Sequence, residues 1–307
     1  MTALTVQKSD TELVQKLKEI LQNGETQKSL ATKLGYSQAA LNTYLKNEYA
    51  GDIDAFETAI KKFLHLHSLA LSHKKITLTF ENTSVANRIL NIAQICQLNS
   101  EIGICTGNSG FGKTTAIKHY ANIQSGVILV DPDENASPRA LLKQIATQLK
   151  LNEFNQCIEI FIADIIKKIN NSGYLIIVDE AENLNSSCFR TLRKIHDRCN
   201  FTFGLLFVGT ERLLANLSRM QGEYAYVTNR LSYCETLSQL TKNDVKMLVN
   251  QIFENVDDAS MTEFIRCSNY NARVLFNLIK RTNDILKSSN EELNPKMILT
   301  AKKMLLV

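Results

Sequence analysis

The stretch CTGNSGFGKTTAIKHY, residues 105–120, follows an apolar run and opens a segment with helical spacing. Within it, residues 107–114 match the Walker A or P-loop pattern G-x-x-x-x-G-K-[ST]. The glycines let backbone N–H groups surround phosphate oxygens, the lysine reaches the β- and γ-phosphates, and a hydroxyl is available to Mg²⁺. We therefore predict a nucleotide-binding loop, with an ordinary glycine-rich turn as the alternative. The predicted binding residues are Gly107, Asn108, Ser109, Gly110, Phe111, Gly112, Lys113, Thr114 and Thr115, and Thr114 would also hold the metal.

The segment YLIIVDEAENL, residues 174–184, supplies the acidic groups that such a site needs. Its apolar residues at 175–178 predict a buried strand, so Asp179 and Glu180 would emerge at the carboxyl end, where ligands bind in open α/β sheets. Asp179 would hold the metal through water, and Glu180 would polarise the attacking water. This Walker B arrangement predicts nucleotide hydrolysis.

Three further polar residues follow in the chain. The apolar run FGLLFVG, residues 203–209, ends at Thr210, which could orient the nucleophile or sense the γ-phosphate; a plain turn at the strand end is the alternative. Arg230 lies in VTNRLSY, and Arg273 lies in NYNARVLFN at the start of a predicted helix. Isolated arginines are usually solvated, so a function for these two depends on the family to which the protein belongs.

The pattern of the chain changes three times. Short amphipathic helices come first, then a polar stretch, then apolar strands that alternate with helices, and finally helices alone. Apolar strands separated by helices are typical of a parallel sheet covered on both faces. Ser84 is predicted to cap a helix over 85–98. The predicted domains are an all-α helix-turn-helix domain (1–71), a linker (72–84), a P-loop α/β core (85–233) and a helical lid (234–307).

The amino-terminal segment TQKSLATKLGYSQAALNTYLK, residues 26–46, has the pattern of a helix-turn-helix unit. Gly35 permits the turn, and Ser37 caps the second helix. Apolar residues on one face of each helix would pack in the core of the domain. Amide side chains on the outward face can contact bases, and a lysine can contact phosphate. A small helical bundle that binds protein is the alternative. The candidate DNA-binding residues are Gln38, Asn42, Thr43 and Lys46.

A second group of cationic residues lies in RTLRKIHDR, residues 190–198, after the predicted Walker B strand. This position would couple a DNA contact to the nucleotide site, and a solvated helix face is the alternative. The net charge of +4 permits binding to nucleic acid but does not establish it. The candidates here are Arg190, Arg193, Lys194 and Arg198.

The composition indicates a soluble, cytoplasmic protein. Seven scattered cysteines form no C-x-x-C pair, which favours reduced thiols over a disulfide framework or a zinc site. The amino terminus lacks an apolar signal core, and the longest apolar runs have only the length of a strand.

The order of these motifs resembles that of AAA+ ATPases. The segment ETQKSLATKLGYSQAALNTYLKNEYAGD, together with GNSGFGKTTAIKHY, LIIVDEAENL, GLLFVGTERL and NARVLFNLIKRT, is similar to the family of the phage Mu B transposition protein. The ATPase motifs are generic to AAA+ proteins, whereas the domain order, with a helix-turn-helix unit first, is the specific part of the resemblance. This resemblance extends over nearly the whole chain.

The resemblance implies an ATPase that uses Mg²⁺ and ATP and releases ADP and phosphate. It also implies ATP-dependent oligomers or helical filaments on double-stranded DNA, which deliver target DNA to a transposase or stimulate it. Arg230 is similar to the arginine finger that reaches a neighbouring subunit's γ-phosphate, and Arg273 is similar to the lid arginine called sensor 2. Relatives commonly carry Asn where Thr210 stands. A helicase-loader-like ATPase and a nucleotide-switched helix-turn-helix transcription regulator are the alternatives.

Overall fold

The computed structural model describes residues 10–72, 77–134, 136–151, 157–219, 231–289 and 291–305. The chain divides into two compact units, Met1–Thr77 and Leu78–Val307. No helix within the described residues combines the length and the apolar character that crossing a membrane requires.

The first unit contains four helices in its described part, at 10–72. They are α1 (Thr11–Gln22), α2 (Gln27–Leu34), α3 (Gln38–Leu45) and α4 (Ile53–Ser72). Gly35 ends α2 with a φ of 78°, in the left-handed region that glycine adopts most readily. Ser37 then caps α3, as predicted, because its side chain accepts the N–H of Ala40. The core of this unit includes the fully buried Leu17, Leu30, Leu41, Tyr44, Phe56 and Ile60.

The second unit is built on a parallel sheet, which confirms the predicted α/β class. Its described strands are β1 (Ile102–Thr106), β2 (Val127–Val130), β3 (Leu175–Val178), β4 (Gly204–Gly209) and β5 (Leu231–Thr236). The spatial order is β2-β3-β4-β1-β5, and every pairing is parallel. The carboxyl ends of all five strands therefore lie at one edge of the sheet. That edge is where residues after β1, β3 and β4 meet.

Helices cover both faces of this sheet. In chain order they are α5 (Ser84–Asn99), α6 (Lys113–Ile123), α7 (Pro138–Gln148), α8 (Ile158–Ile169), α9 (Ser186–Arg198) and α10 (Arg212–Arg219). One buried cluster joins α7 to α10 with one face of the strands, and a second joins α5 and α6 with the other face. Burial on both faces explains why β3 and β4 are continuous apolar runs rather than alternating ones.

The prediction that Ser84 caps α5 is wrong. Thr83 is the N-cap, and its side chain accepts the N–H of Ala86 at 3.2 Å. Ser84 is instead the first helical residue, because Asp244 accepts both its N–H, at 2.8 Å, and its hydroxyl, at 2.6 Å. A long-range partner thus determines which of two adjacent hydroxyl residues caps the helix.

Part of the segment that we predicted as a linker belongs to the second unit, which begins at Leu78, and packs against its helices. The ring of Phe80 stacks on the imidazole of His119 in α6, with centroids 3.5 Å apart and planes 4° apart. The side-chain amide of Gln251 accepts the N–H of Thr79 at 2.9 Å and donates to its carbonyl at 3.2 Å. Leu78 also lies against the cluster that contains α5 and α6.

The carboxyl-terminal region is helical, as its pattern predicts. It comprises α11 (Lys242–Asn250), α12 (Asp258–Ser268), α13 (Ala272–Ser288) and α14 (Pro295–Lys303). Their apolar faces share a core that includes Val249, Phe264, Leu275, Leu278, Ile279 and Ile298. We call these four helices the lid. The first turn of α13 lies beside the loop between β1 and α6.

Candidate nucleotide-binding site

The loop between β1 and α6 has the conformation that its glycines predict. Gly110 and Gly112 adopt φ values of 85° and 91°, in a region that residues with a side chain rarely adopt. Lys113, the first residue of α6, is buried, and its ammonium donates to the carbonyls of Gly107, at 2.7 Å, and Asn108, at 3.0 Å. The loop therefore holds the lysine over its own backbone, at the start of a helix whose N-terminus attracts anions.

Burial lowers the pKa of the Lys113 ammonium, and the nearby carboxylates of Glu182 and Asp179 partly oppose that effect. An ammonium that has lost water in this way interacts more strongly with an anion than a solvated one does. The position suits a phosphate-binding cation.

Thr114 and Asp179 are brought together from α6 and the end of β3. The Thr114 hydroxyl donates to Oδ2 of Asp179 at 2.8 Å, and Oδ1 of Asp179 accepts the N–H of Glu180 at 3.0 Å. Burial raises the pKa of the Asp179 carboxyl, although these two hydrogen bonds partly lower it. A hydroxyl and a carboxylate are oxygen ligands of the kind that Mg²⁺ prefers, so this pair fits the predicted metal ligands.

Glu180 directly follows Asp179 and is the N-cap of a short 3₁₀ helix, Ala181–Asn183. Its φ of 46° is in the left-handed region, which is uncommon for a residue with a side chain. The carboxylate is exposed, and the amide of Asn183 lies 3.3 Å from its Oε2. The turn thus leaves this carboxylate accessible at the edge of the sheet where the P-loop lies.

Glu182 is a residue of the site that sequence reasoning missed. Both of its carboxylate oxygens accept the N–H of Thr210, each at 3.1 Å. A Cβ added at Gly209 would lie 2.2 Å from Glu182 Oε2, so the glycine leaves room for this carboxylate. The available signal was a second glutamate near the end of β3 and a glycine at the end of β4, but only the pairing of these strands connects them.

Thr210 is placed at the end of β4, next to the loop that follows β1. Its hydroxyl is buried and has no hydrogen-bond partner among the described residues. Because a buried polar atom without a partner is costly, this hydroxyl is a candidate contact for a bound molecule. The sensing function assigned to Thr210 stays a prediction.

Arg273 lies beside the P-loop, whereas Arg230 lies outside the described residues. The guanidinium of Arg273 donates to the hydroxyl of Ser109 at 3.2 Å, and the backbone N–H of Arg273 donates to the carbonyl of Gly110 at 3.2 Å. Asn271, which sequence reasoning also missed, donates to the carbonyl of Ser109 at 3.0 Å. The lid therefore contributes side chains to the nucleotide loop.

The candidate DNA-binding residues are on both units. In the first unit, Gln38 and Lys46 are exposed, whereas Asn42 and Thr43 are half-buried. The Thr43 hydroxyl donates to the carbonyl of Ala40 at 3.0 Å, so it is already engaged by its own helix.

Most of the candidate cationic residues of α9 form ion pairs with acidic side chains. Glu159 of α8 forms ion pairs with Lys194 and Arg198, and Arg193 lies 3.6 Å from Asp197. Arg190, which is exposed, lies 3.4 Å from the hydroxyl of Ser187. These contacts make α9 a less cationic surface than its sequence predicts.

Comparison with known proteins identifies the fold and relatives of the chain. Residues 97–217 match the AAA domain family. The Mu-like prophage FluMu DNA transposition protein B of Haemophilus influenzae is 27% identical over 242 residues, which cover 76% of this chain and 83% of that protein. The ATP-dependent target DNA activator B of Escherichia phage Mu is 22% identical over 238 residues, 76% of this chain and 75% of that protein.

A solved structure of the Aeropyrum pernix ORC2 protein superposes with a TM-score of 0.58 at 13% identity, covering 75% of this chain and 70% of that one. At this identity the match shows the fold alone. Residues 97–217 thus match the AAA domain family within a fold that P-loop AAA+ structures share, and the two relatives named above are transposition proteins of a Mu-like prophage and of phage Mu.

Proposed function

We propose that this chain, an AAA+ protein related to the transposition B proteins of Mu-like phages, is an ATP-dependent DNA-binding ATPase. In this proposal it oligomerises on double-stranded target DNA and delivers that DNA to a transposase or stimulates the transposase. The observation that carries the proposal is the assembly of Lys113, the Thr114–Asp179 pair and Glu180 at one edge of the sheet. The names of the relatives, an ATP-dependent target DNA activator among them, support the DNA-related part.

Each residue of the site has a distinct chemical task in hydrolysis. Lys113 would transfer its hydrogen bonds from the loop carbonyls to phosphate oxygens. Thr114 and Asp179 would hold Mg²⁺, which neutralises charge on the β- and γ-phosphates. Glu180, which is exposed beside them, would orient the attacking water. Thr210 would contact the γ-phosphate or that water with its unpartnered hydroxyl.

The coupling to DNA depends on self-association. We propose that Arg230 reaches the γ-phosphate of a neighbouring subunit, while Arg273 contacts the nucleotide from the same chain. The first unit would then contact DNA through the face that carries Gln38 and Lys46. Because the net charge is only +4, affinity would come from many subunits that bind together rather than from one.

The decisive experiment measures DNA retention and assembly together. Electron microscopy and filter retention of the full chain with duplex DNA would be compared with Mg-ATP, with Mg-ADP and without nucleotide. We expect ordered assemblies and salt-sensitive retention with Mg-ATP alone. Lys113→Ala should abolish them because nucleotide binding is lost, whereas Glu180→Gln should retain DNA for longer because it binds ATP but hydrolyses it slowly. If the chain stays monomeric and does not bind DNA at saturating Mg-ATP, the proposal is contradicted.

A further inference from the structure

Asn271 connects the lid to the P-loop with both ends of its side-chain amide. It is the N-cap of α13, and its Oδ1 accepts the N–H of Arg273 at 3.0 Å and the N–H of Val274 at 3.2 Å. Its Nδ2 donates to the carbonyl of Ser109 at 3.0 Å. The orientation of the amide is therefore fixed, because the acceptor end is used by the helix and the donor end by the loop.

The backbone of the loop approaches Asn271 closely. A Cβ added at Gly110 would lie 2.4 Å from Oδ1 of Asn271 and 2.7 Å from its Nδ2. The carbonyl of Gly110 also accepts the N–H of Arg273 at 3.2 Å. Two successive carbonyls of the loop thus point toward the first turn of α13.

The direction of these carbonyls matters for phosphate binding. In a trans peptide the C=O and the following N–H point in opposite directions. Bonds from α13 to the carbonyls of Ser109 and Gly110 therefore aim the N–H groups of Gly110 and Phe111 away from the lid helix. A P-loop binds phosphate through such backbone N–H groups, which must all turn inward.

We propose that Asn271 is a positioning residue that couples the lid to nucleotide binding. It holds the loop in the conformation that receives phosphate, and a bound nucleotide in turn holds α13 in place, since such coupling is reciprocal. The inference rests on the proposed function, because it assumes that the loop binds ATP. In this proposal the lid contacts the nucleotide loop in two ways: Asn271 bonds to the backbone of the loop, and Arg273 bonds to the Ser109 side chain.

The chain offers a matched control in Asn294, the N-cap of α14. Its Oδ1 accepts the N–H groups of Lys296 and Met297 at 3.1 and 3.2 Å, in the same geometry as Asn271. Its Nδ2 is directed to Glu291 and to the carbonyl of Glu292 rather than to the P-loop. Serine caps helices about as well as asparagine, so Asn271→Ser and Asn294→Ser keep the caps and remove only the amide donors.

The experiment measures the affinity of the full chain for Mg-ATP and the hydrogen exchange of residues 270–278 with and without it. We expect Asn271→Ser to weaken binding about five- to tenfold, the usual effect of one lost hydrogen bond. At saturating Mg-ATP, the gain in protection of α13 should be smaller than in the parent, because only Arg273 still connects this helix to the site. Asn294→Ser should match the parent in both measurements. Without nucleotide, the two variants should unfold at similar temperatures.

Asn271→Asp provides a second variant. It keeps the cap but places an acceptor oxygen, instead of the amide donor, opposite the carbonyl of Ser109. It should bind Mg-ATP more weakly than Asn271→Ser. If Asn271→Ser binds like the parent, or if Asn294→Ser is equally impaired, the coupling proposal is overturned while the proposed function stands. If the parent itself does not bind Mg-ATP, the proposed function fails, and this inference fails with it.

Discussion

At the scale of single residues, the least expected feature is the carboxylate of Glu182 between the ends of β3 and β4. Both of its oxygens accept the backbone N–H of Thr210 at 3.1 Å. Its negative charge also raises the pKa of Lys113 and so partly offsets the effect of burial. Gly209→Ala would place a methyl group 2.2 Å from Glu182 Oε2. Since the atom in its way is the end of a flexible side chain, the carboxylate should move and the fold should persist.

We expect Gly209→Ala to reduce ATP turnover by about 10- to 100-fold, because small displacements of catalytic groups cost this much. Thermal unfolding should change little. Adding Glu182→Asp, which is shorter by one methylene, should restore part of the turnover in the Gly209→Ala chain, since the two sites are in contact. Steady-state hydrolysis assays of both variants check this; unchanged turnover in Gly209→Ala would remove Glu182 from the site.

At the scale of elements, Asp244 ties the start of α5 to the start of α11. Its buried carboxylate accepts the N–H and hydroxyl of Ser84 and completes a capping box with Thr241. Burial by itself would raise the pKa of Asp244, but the hydrogen bonds from Ser84 and Thr241 outweigh it and lower that pKa. A lowered carboxyl pKa contributes stability above the unfolded value of about 3.9, and this contribution is lost as the pH falls through the folded value.

We therefore expect Asp244→Asn to lower the free energy of unfolding by about 1–3 kcal/mol at pH 7, the usual cost of unsatisfied buried partners. The difference from the parent should begin to shrink below about pH 4 and should vanish only at a lower pH, below the lowered folded-state pKa, where the parent's carboxyl becomes neutral as well. Urea unfolding at several pH values measures both effects. Asp258→Asn, at an exposed position in the first turn of α12, is the control and should show a smaller change. A pH-independent difference would show that the carboxylate charge is not what stabilises this junction.

The elements also show how far the sequence determines the site. The P-loop and the strand before Asp179 were predictable, because local patterns encode both a glycine-rich turn and a strand buried on both faces. Thr83 and Ser84 are equally good caps locally, and the choice between them depends on Asp244, which is distant in sequence. Glu182 and Asn271 were missed for the same reason, since the partner of Glu182 follows β4 and the partner of Asn271 lies in the P-loop, both distant in sequence.

At the scale of the whole molecule, the distribution of charge bears on how the chain would bind DNA in the proposed function. The net charge is only +4, and Glu159 and Asp197 engage cationic side chains of α9. Lys46 at the end of α3 is exposed in the other unit, and it follows the helix that we propose to contact DNA. We therefore propose that Lys46 would contact a DNA phosphate in each subunit.

A lysine that contacts phosphate releases about one counterion, so Lys46→Ala should reduce the salt dependence of DNA retention by about one unit of slope per subunit. Retention with Mg-ATP should weaken to a similar degree on duplexes of different sequence, because phosphates carry no sequence information. Lys62→Ala removes the same charge from an exposed position on α4 of the same unit and serves as the control. ATP hydrolysis without DNA should be unchanged in both variants. Equal salt slopes for the parent and Lys46→Ala would mean that this helix does not meet the DNA backbone and that the contact lies elsewhere in the chain.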